Sequence, residues 1–100
     1  MATRTTQGIL SEDKAEKRDE IIELLSKAYW MEMETVMSYV ANSVNPDGVR
    51  AQEIRESLEE DIQEELGHAQ QYANRIKELG GVVPGSEQFK AEVQARTKGN

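Results

Sequence analysis

Two long stretches of this chain carry apolar residues at the spacing of an α-helix and are almost free of glycine and proline. The first stripe is Ile22, Leu25, Tyr29, Glu32, Val36 and Tyr39; the second is Ile54, Leu58, Ile62, Glu65, Ala69, Tyr72, Ile76 and Leu79. Both advance by alternating steps of about three and four residues, the repeat of one face of a 3.6-residue turn. Glycine and proline gather near residues 46–48 and 80–85, and only Gly67 falls inside a stretch. This pattern predicts an all-α fold.

Helix 1 is expected from about residue 12 to about residue 44, with Ser11 as its cap and Glu12 and Asp13 in its first turn. Asn45-Pro46-Asp47-Gly48 is a stop and turn signal too short for anything but an antiparallel return. Helix 2 is expected from about residue 49 to Leu79, ended by Gly80-Gly81. A short third helix over about 87–97, capped by Ser86, offers only Phe89 and Val93 as an apolar pair. Residues 1–10 have no period and are expected to be a flexible tail ahead of a single domain over 11–100.

An antiparallel two-helix hairpin of about 45 Å buries too little to stand alone. The segment 28–40 is apolar nearly all round, because Trp30, Met31, Met33 and Met37 lie off the main stripe. A helix of that kind must be covered on more than one side. The expectation is a homo-oligomer in which two hairpins dimerise into a four-helix bundle.

Composition narrows the chemistry. The net charge of −7 repels nucleic-acid phosphates and attracts cations. The absence of cysteine excludes disulfides, iron–sulfur clusters and thiol catalysis. One histidine excludes zinc sites that need several imidazoles from one chain. No membrane span or signal peptide is visible, which favours the cytoplasm.

Each stripe is broken once by an acid, Glu32 in the first and Glu65 in the second. A carboxylate in an apolar seam is costly unless something neutralises it. His68 follows Glu65 by three residues, on the same helix face. Glu64 is flanked at seven-residue spacing by Ser57 and Gln71, which places it on a polar face as a solvated or supporting residue. Glu32 precedes the turn by about 15 residues and Glu65 follows it by about 18, so the two stand within about one helical turn in height. One hairpin thus offers Glu32, Glu65 and His68 as candidate metal ligands, and a dimer offers four carboxylates and two imidazoles. That is the donor set of di-iron carboxylate bundles. Two divalent ions neutralise it; without them it repels itself. Oxygen-rich donors with some imidazole suit iron or manganese, although zinc would often bind such a site more tightly. Iron is preferred on function, because two ferrous ions can each give an electron to dioxygen or peroxide, with zinc, manganese or calcium as substitutes.

Other readings of these residues are plainer. A lone histidine on a helix is more often hydrogen-bonded to a neighbour such as Asp61 or Glu64. Tyr39 and Tyr72 read first as core residues. Met31, Met33 and Met37 read as interface filler rather than haem ligands.

Glu32 and Tyr39, with Glu64-Glu65-Leu66-Gly67-His68-Ala69, resemble the ferritin-like superfamily, and Arg75-Ile-Lys-Glu-Leu-Gly-Gly81 is similar to its bacterioferritin and rubrerythrin-like branches. One Glu-x-x-His in a half-length chain, with Met31-Glu32-Met33-Glu34-Thr35-Val36, most resembles the encapsulated ferritins. The resemblance covers roughly residues 20–80. It implies a ferroxidase that oxidises Fe2+ to Fe3+ at a di-iron centre between two protomers, in iron storage or detoxification. Glu32, Glu65 and His68 would be the catalytic ligands, Tyr39 a hydrogen-bonder behind them and Glu34 part of an outer metal-access site. It further implies a decamer built from a ring of dimers inside an encapsulin shell, although Ala95-Arg-Thr-Lys-Gly-Asn100 shows no apolar docking peptide. The alternatives are a rubrerythrin-like peroxide reductase, which would normally need a cysteine-rich iron domain, and a non-enzymatic helical assembly module indifferent to metal.

Overall fold

The computed structural model describes residues 8–99. They form a 3-10 turn over Glu12–Lys14, then α1 over Ala15–Val44, α2 over Ala51–Glu78 and α3 over Ser86–Gly99, with no strand among them. The all-α expectation holds, with shifted boundaries.

The start of α1 differs from the expectation because the Ser11 hydroxyl is engaged elsewhere. It donates to the Asp13 carboxylate, caps no backbone N–H, and leaves Glu12–Lys14 in the tighter turn. Of the expected tail, residues 1–7 lie outside the described residues. Residues 8–10 turn back onto the helix: the Ser11 N–H donates to the Gly8 carbonyl at 2.9 Å, and Arg18 Nη1 donates to the Ile9 and Ser11 carbonyls at 3.0 and 2.8 Å.

Gly48 turns the chain between α1 and α2 with φ 107°, a conformation that side-chain-bearing residues rarely adopt. The two helices run antiparallel, since Gly81, just past α2, lies against Ile22 near the start of α1. A Cβ at Gly81 would stand 3.0 Å from both Ile22 Cγ2 and Ile76 Cγ2, so the chain passes this close only without a side chain. The end of α2 satisfies its last carbonyls in a paired pattern. The Gly80 N–H donates to the Lys77 carbonyl and the Gly81 N–H to the Ile76 carbonyl, with Gly80 at φ 86°.

The apolar core is small. Among the described residues, Val36, Ala69, Ile76 and Leu79 are the buried apolar side chains. Leu24, Met31, Met37, Val40 and Val44 are exposed on α1, Met31 by 63% and Met37 by 57%. Their accumulation on one helix is the feature that a single hairpin leaves unexplained. Among the described residues, no helix is long and apolar enough to cross a membrane.

The first turn of α3 is closed by Gln88, whose side-chain oxygen accepts from the Gly85 N–H at 2.9 Å. Ser86, expected as the cap, is instead the first helical residue. The far end of α3 reaches α1 through Arg96, whose Nη2 donates to Glu34 Oε1 at 2.6 Å. Near its start, Phe89 and Pro84 meet Tyr29, Trp30, Met33 and Met37 around a groove of about 220 Å³.

Two glycine substitutions should move stability in opposite directions. Gly80→Ala should lower it by about 1–2 kcal/mol, because φ 86° strains any Cβ. Gly67→Ala should raise that of the metal-free chain by about 1 kcal/mol, since its Cβ would meet nothing within 4 Å and alanine is the better helix former. Urea midpoints of the two variants check both signs.

Candidate metal centre

The helical register, rather than any loop, places the candidate donors. Glu32 sits in α1 four residues before buried Val36, and His68 in α2 immediately precedes buried Ala69. The layer therefore adjoins well-packed positions of the hairpin, which fix the backbones on both sides. Glu65 stands one turn before His68 on the same face of α2.

The three side chains converge. His68 Nδ1 lies 3.7 Å from Glu65 Oε1 and 3.9 Å from Glu32 Oε2. One ligand atom from each residue lies within 4.8 Å of the other two. These separations are too long for hydrogen bonds. An ion with nitrogen and oxygen ligands at about 2.0–2.2 Å holds neighbouring donors about 3.0–3.5 Å apart. Closing the set onto an ion takes a contraction of roughly an ångström between donors, within the reach of side-chain torsions.

Polarity and exposure point the same way as distance. The Glu32 and Glu65 side chains are each 21% exposed, and His68 is 43% exposed. Glu32 Oε2 is buried and accepts no hydrogen bond among the described residues. A buried carboxylate oxygen without a donor is unfavourable unless a cation takes the donor's place. Two carboxylates bring the charge that one divalent ion cancels, and the imidazole adds a nitrogen donor. The donor set thus fits a divalent transition metal.

The other residues singled out in the sequence fall around this layer or away from it. Glu64 is exposed and Tyr39 half-buried. The Tyr39 hydroxyl makes no hydrogen bond among the described residues. Glu34, two residues from Glu32, projects from nearly the opposite side of α1 and pairs with Arg96. Sequence reasoning misses Arg96: it lies 62 residues from Glu34 in a segment with almost no apolar pattern, and nothing local marks it. Among the described residues, nothing comes within 4 Å of where a Cβ at Gly67, beside His68, would stand.

A profile of the ferritin-like domain matches residues 22–99, which include most of α1, all of α2 and the three candidate donors. The chain belongs to the ferritin-like family. This ferritin-like chain is also 30% identical over 69 residues to a bacterioferritin of Desulfovibrio desulfuricans, an alignment that covers 69% of the chain and 38% of that protein. The chain thus spans well under half the length of the curated relative it matches. No solved structure matches it.

The orphaned oxygen makes a prediction about the metal-free state. Glu32→Leu should leave the metal-free chain as stable or more stable by about 1 kcal/mol, because it replaces an unpartnered acid with an apolar side chain in a seam. The same variant should lose any rise in Tm that manganese produces in the parent. Thermal scans with and without the ion read both effects.

Proposed function

We propose that this chain is a ferroxidase protomer of the encapsulated-ferritin type. Two copies pair to form a four-helix bundle, and Fe2+ is oxidised to Fe3+ at the centre they share. The observation that carries this reading is the convergence of Glu32, Glu65 and His68 across two antiparallel helices, with Glu32 Oε2 buried and unpartnered. Membership of the ferritin-like family and likeness to a protein named as a bacterioferritin support iron as the metal. The exposed apolar residues of α1 support a second copy as the cover.

Iron supplies the redox chemistry: each Fe2+ substrate gives up one electron, and two together reduce dioxygen or peroxide by two electrons with uptake of two protons. The chain's residues do the rest. The Glu32 and Glu65 carboxylates bind the Fe2+ substrate and favour the higher charge of Fe3+. His68 Nδ1 contributes a nitrogen donor beside the two carboxylates. The half-exposed edge at His68 leaves the layer open for iron to arrive and for a partner's carboxylates to approach. Tyr39 lies on the same helix face as Glu32, where its hydroxyl can orient a bound carboxylate once the second copy is in place. Glu64, exposed beside Glu65, adds negative potential at the approach. Glu34 serves as an outer access residue only when its pair with Arg96 opens. A decamer, an encapsulin shell around it and a cytoplasmic setting belong to this reading.

Fe2+ oxidation measured by Fe3+ absorbance and oxygen consumption tests it. The parent should oxidise Fe2+ faster than buffer. Glu32→Ala, Glu65→Ala and His68→Ala should each lower the rate by more than about 100-fold, since residues that merely support a ligand already cost roughly 10–100-fold. Glu59→Gln, on the exposed face of α2, should leave it unchanged. A parent no faster than buffer, or ligand variants as fast as the parent, would sink the proposal.

A further inference from the structure

The third helix is attached to the hairpin at two points of unlike chemistry. We infer that α3 is a strap latched by the Arg96–Glu34 ion pair, and that rising ionic strength opens it and widens the apolar groove between α3 and α1. The inference is independent of what the donor layer binds.

Little else holds α3 in place. Among its described side chains none is buried, and only Phe89 and Val93 are half-buried. Its backbone runs along neither long helix. A 14-residue helix is marginal by itself, so its order depends on its attachments. The root is firm, because Gly81 is seated against Ile22 and Ile76 at the end of α2. Beyond the root the connection is short and open, with Val82 87% exposed. The first attachment is apolar: Phe89 and Pro84 line the groove together with Tyr29, Trp30 and Met33. The second is electrostatic: Arg96 Nη2 donates to Glu34 Oε1 at 2.6 Å, with the two side chains 43% and 37% exposed. Both attachments lie on matching faces. Phe89, Val93 and Arg96 share one face of α3 by their spacing, and Glu34 stands one turn beyond Trp30 on α1.

The two attachments respond differently to salt. Ions screen an exposed charge pair, since the Debye length falls from roughly 30 Å at about 0.01 M to roughly 3 Å at about 1 M. Apolar contact carries no charge to screen. Without the latch, Phe89 and Val93 are left to hold the helix, and the ratio of open to closed strap rises. An exposed pair accounts for up to about a fivefold change in such a ratio. The strap is therefore graded. At low ionic strength it keeps Trp30 and Met33 partly covered and Glu34 engaged; as salt rises it releases all three.

Hydrogen–deuterium exchange of the full chain, read peptide by peptide, tests this together with the emission of Trp30, the single tryptophan. From about 0.01 to about 1 M sodium chloride, exchange over residues 86–97 should quicken by up to about fivefold while exchange over α2 holds. Trp30 emission should shift to the red over the same range. Arg96→Gln and Glu34→Gln should each show fast exchange and red-shifted emission already at low salt, with no further response. Lys90→Gln, which removes the same charge from an exposed position on the same helix, should behave as the parent. The reversed pair, Glu34→Arg with Arg96→Glu, should close again at low salt. The inference is overturned by an α3 indifferent to salt, by Lys90→Gln matching Arg96→Gln, or by a reversed pair as open as either single variant. Quickened exchange with no change at Trp30 would overturn it too, because the helix would then be fraying in place.

Discussion

Placing two carboxylates in the apolar seams of a small helical hairpin is the constraint on which the rest of this structure turns. Each is only 21% exposed, and one of their oxygens has no donor. Alone, such groups oppose folding and association. In the proposed pairing, two such half-sites would repel each other unless cations neutralise them. Cations are the simplest compensation that keeps both the charges and the fold.

The thin core imposes the same requirement from the apolar side. Ile76 and Leu79 are sealed against the start of α1 where Gly81 allows close approach, and the best-packed part of the hairpin is this end. Toward the turn, Val40 and Val44 lie open to solvent. A chain that leaves Met31 and Met37 more than half exposed on its most apolar helix has surface prepared for another protein surface. Burying that surface and neutralising the acids are two halves of one proposed assembly step, which ties oligomeric state to metal supply.

The helices and the donor layer are legible in the sequence for one reason: an antiparallel hairpin with a short turn leaves almost no freedom. Period 3.6 fixes which residues share a face, and counting from the turn fixes which heights match. Position alone therefore brings Glu32, Glu65 and His68 together. The misses have a different origin. Serine before two acids has the pattern of a helix cap, but the Ser11 hydroxyl pairs with Asp13. The same pattern marks Ser86 as the cap of α3, while Gln88 closes the turn through Gly85. Arg96 reaches Glu34 across the fold, a contact set by where α3 lies and by no local period. Side-chain choices among several adjacent polar groups, and contacts between elements joined by irregular loops, are not encoded in spacing.

The bacterioferritin alignment spans 38% of that protein. The groove beneath α3 and the Arg96–Glu34 pair stand apart from the donor layer, on another side of α1. They concern how α3 is held rather than how a cation is bound. The most direct measurement of the proposed shared centre is an anomalous diffraction map at the iron absorption edge, from crystals of the full chain grown with Fe2+. The expected result is a pair of iron peaks astride a two-fold axis between copies, each bounded by Glu32, Glu65 and His68. Iron peaks elsewhere, with these side chains turned into solvent far from any second copy, would contradict it.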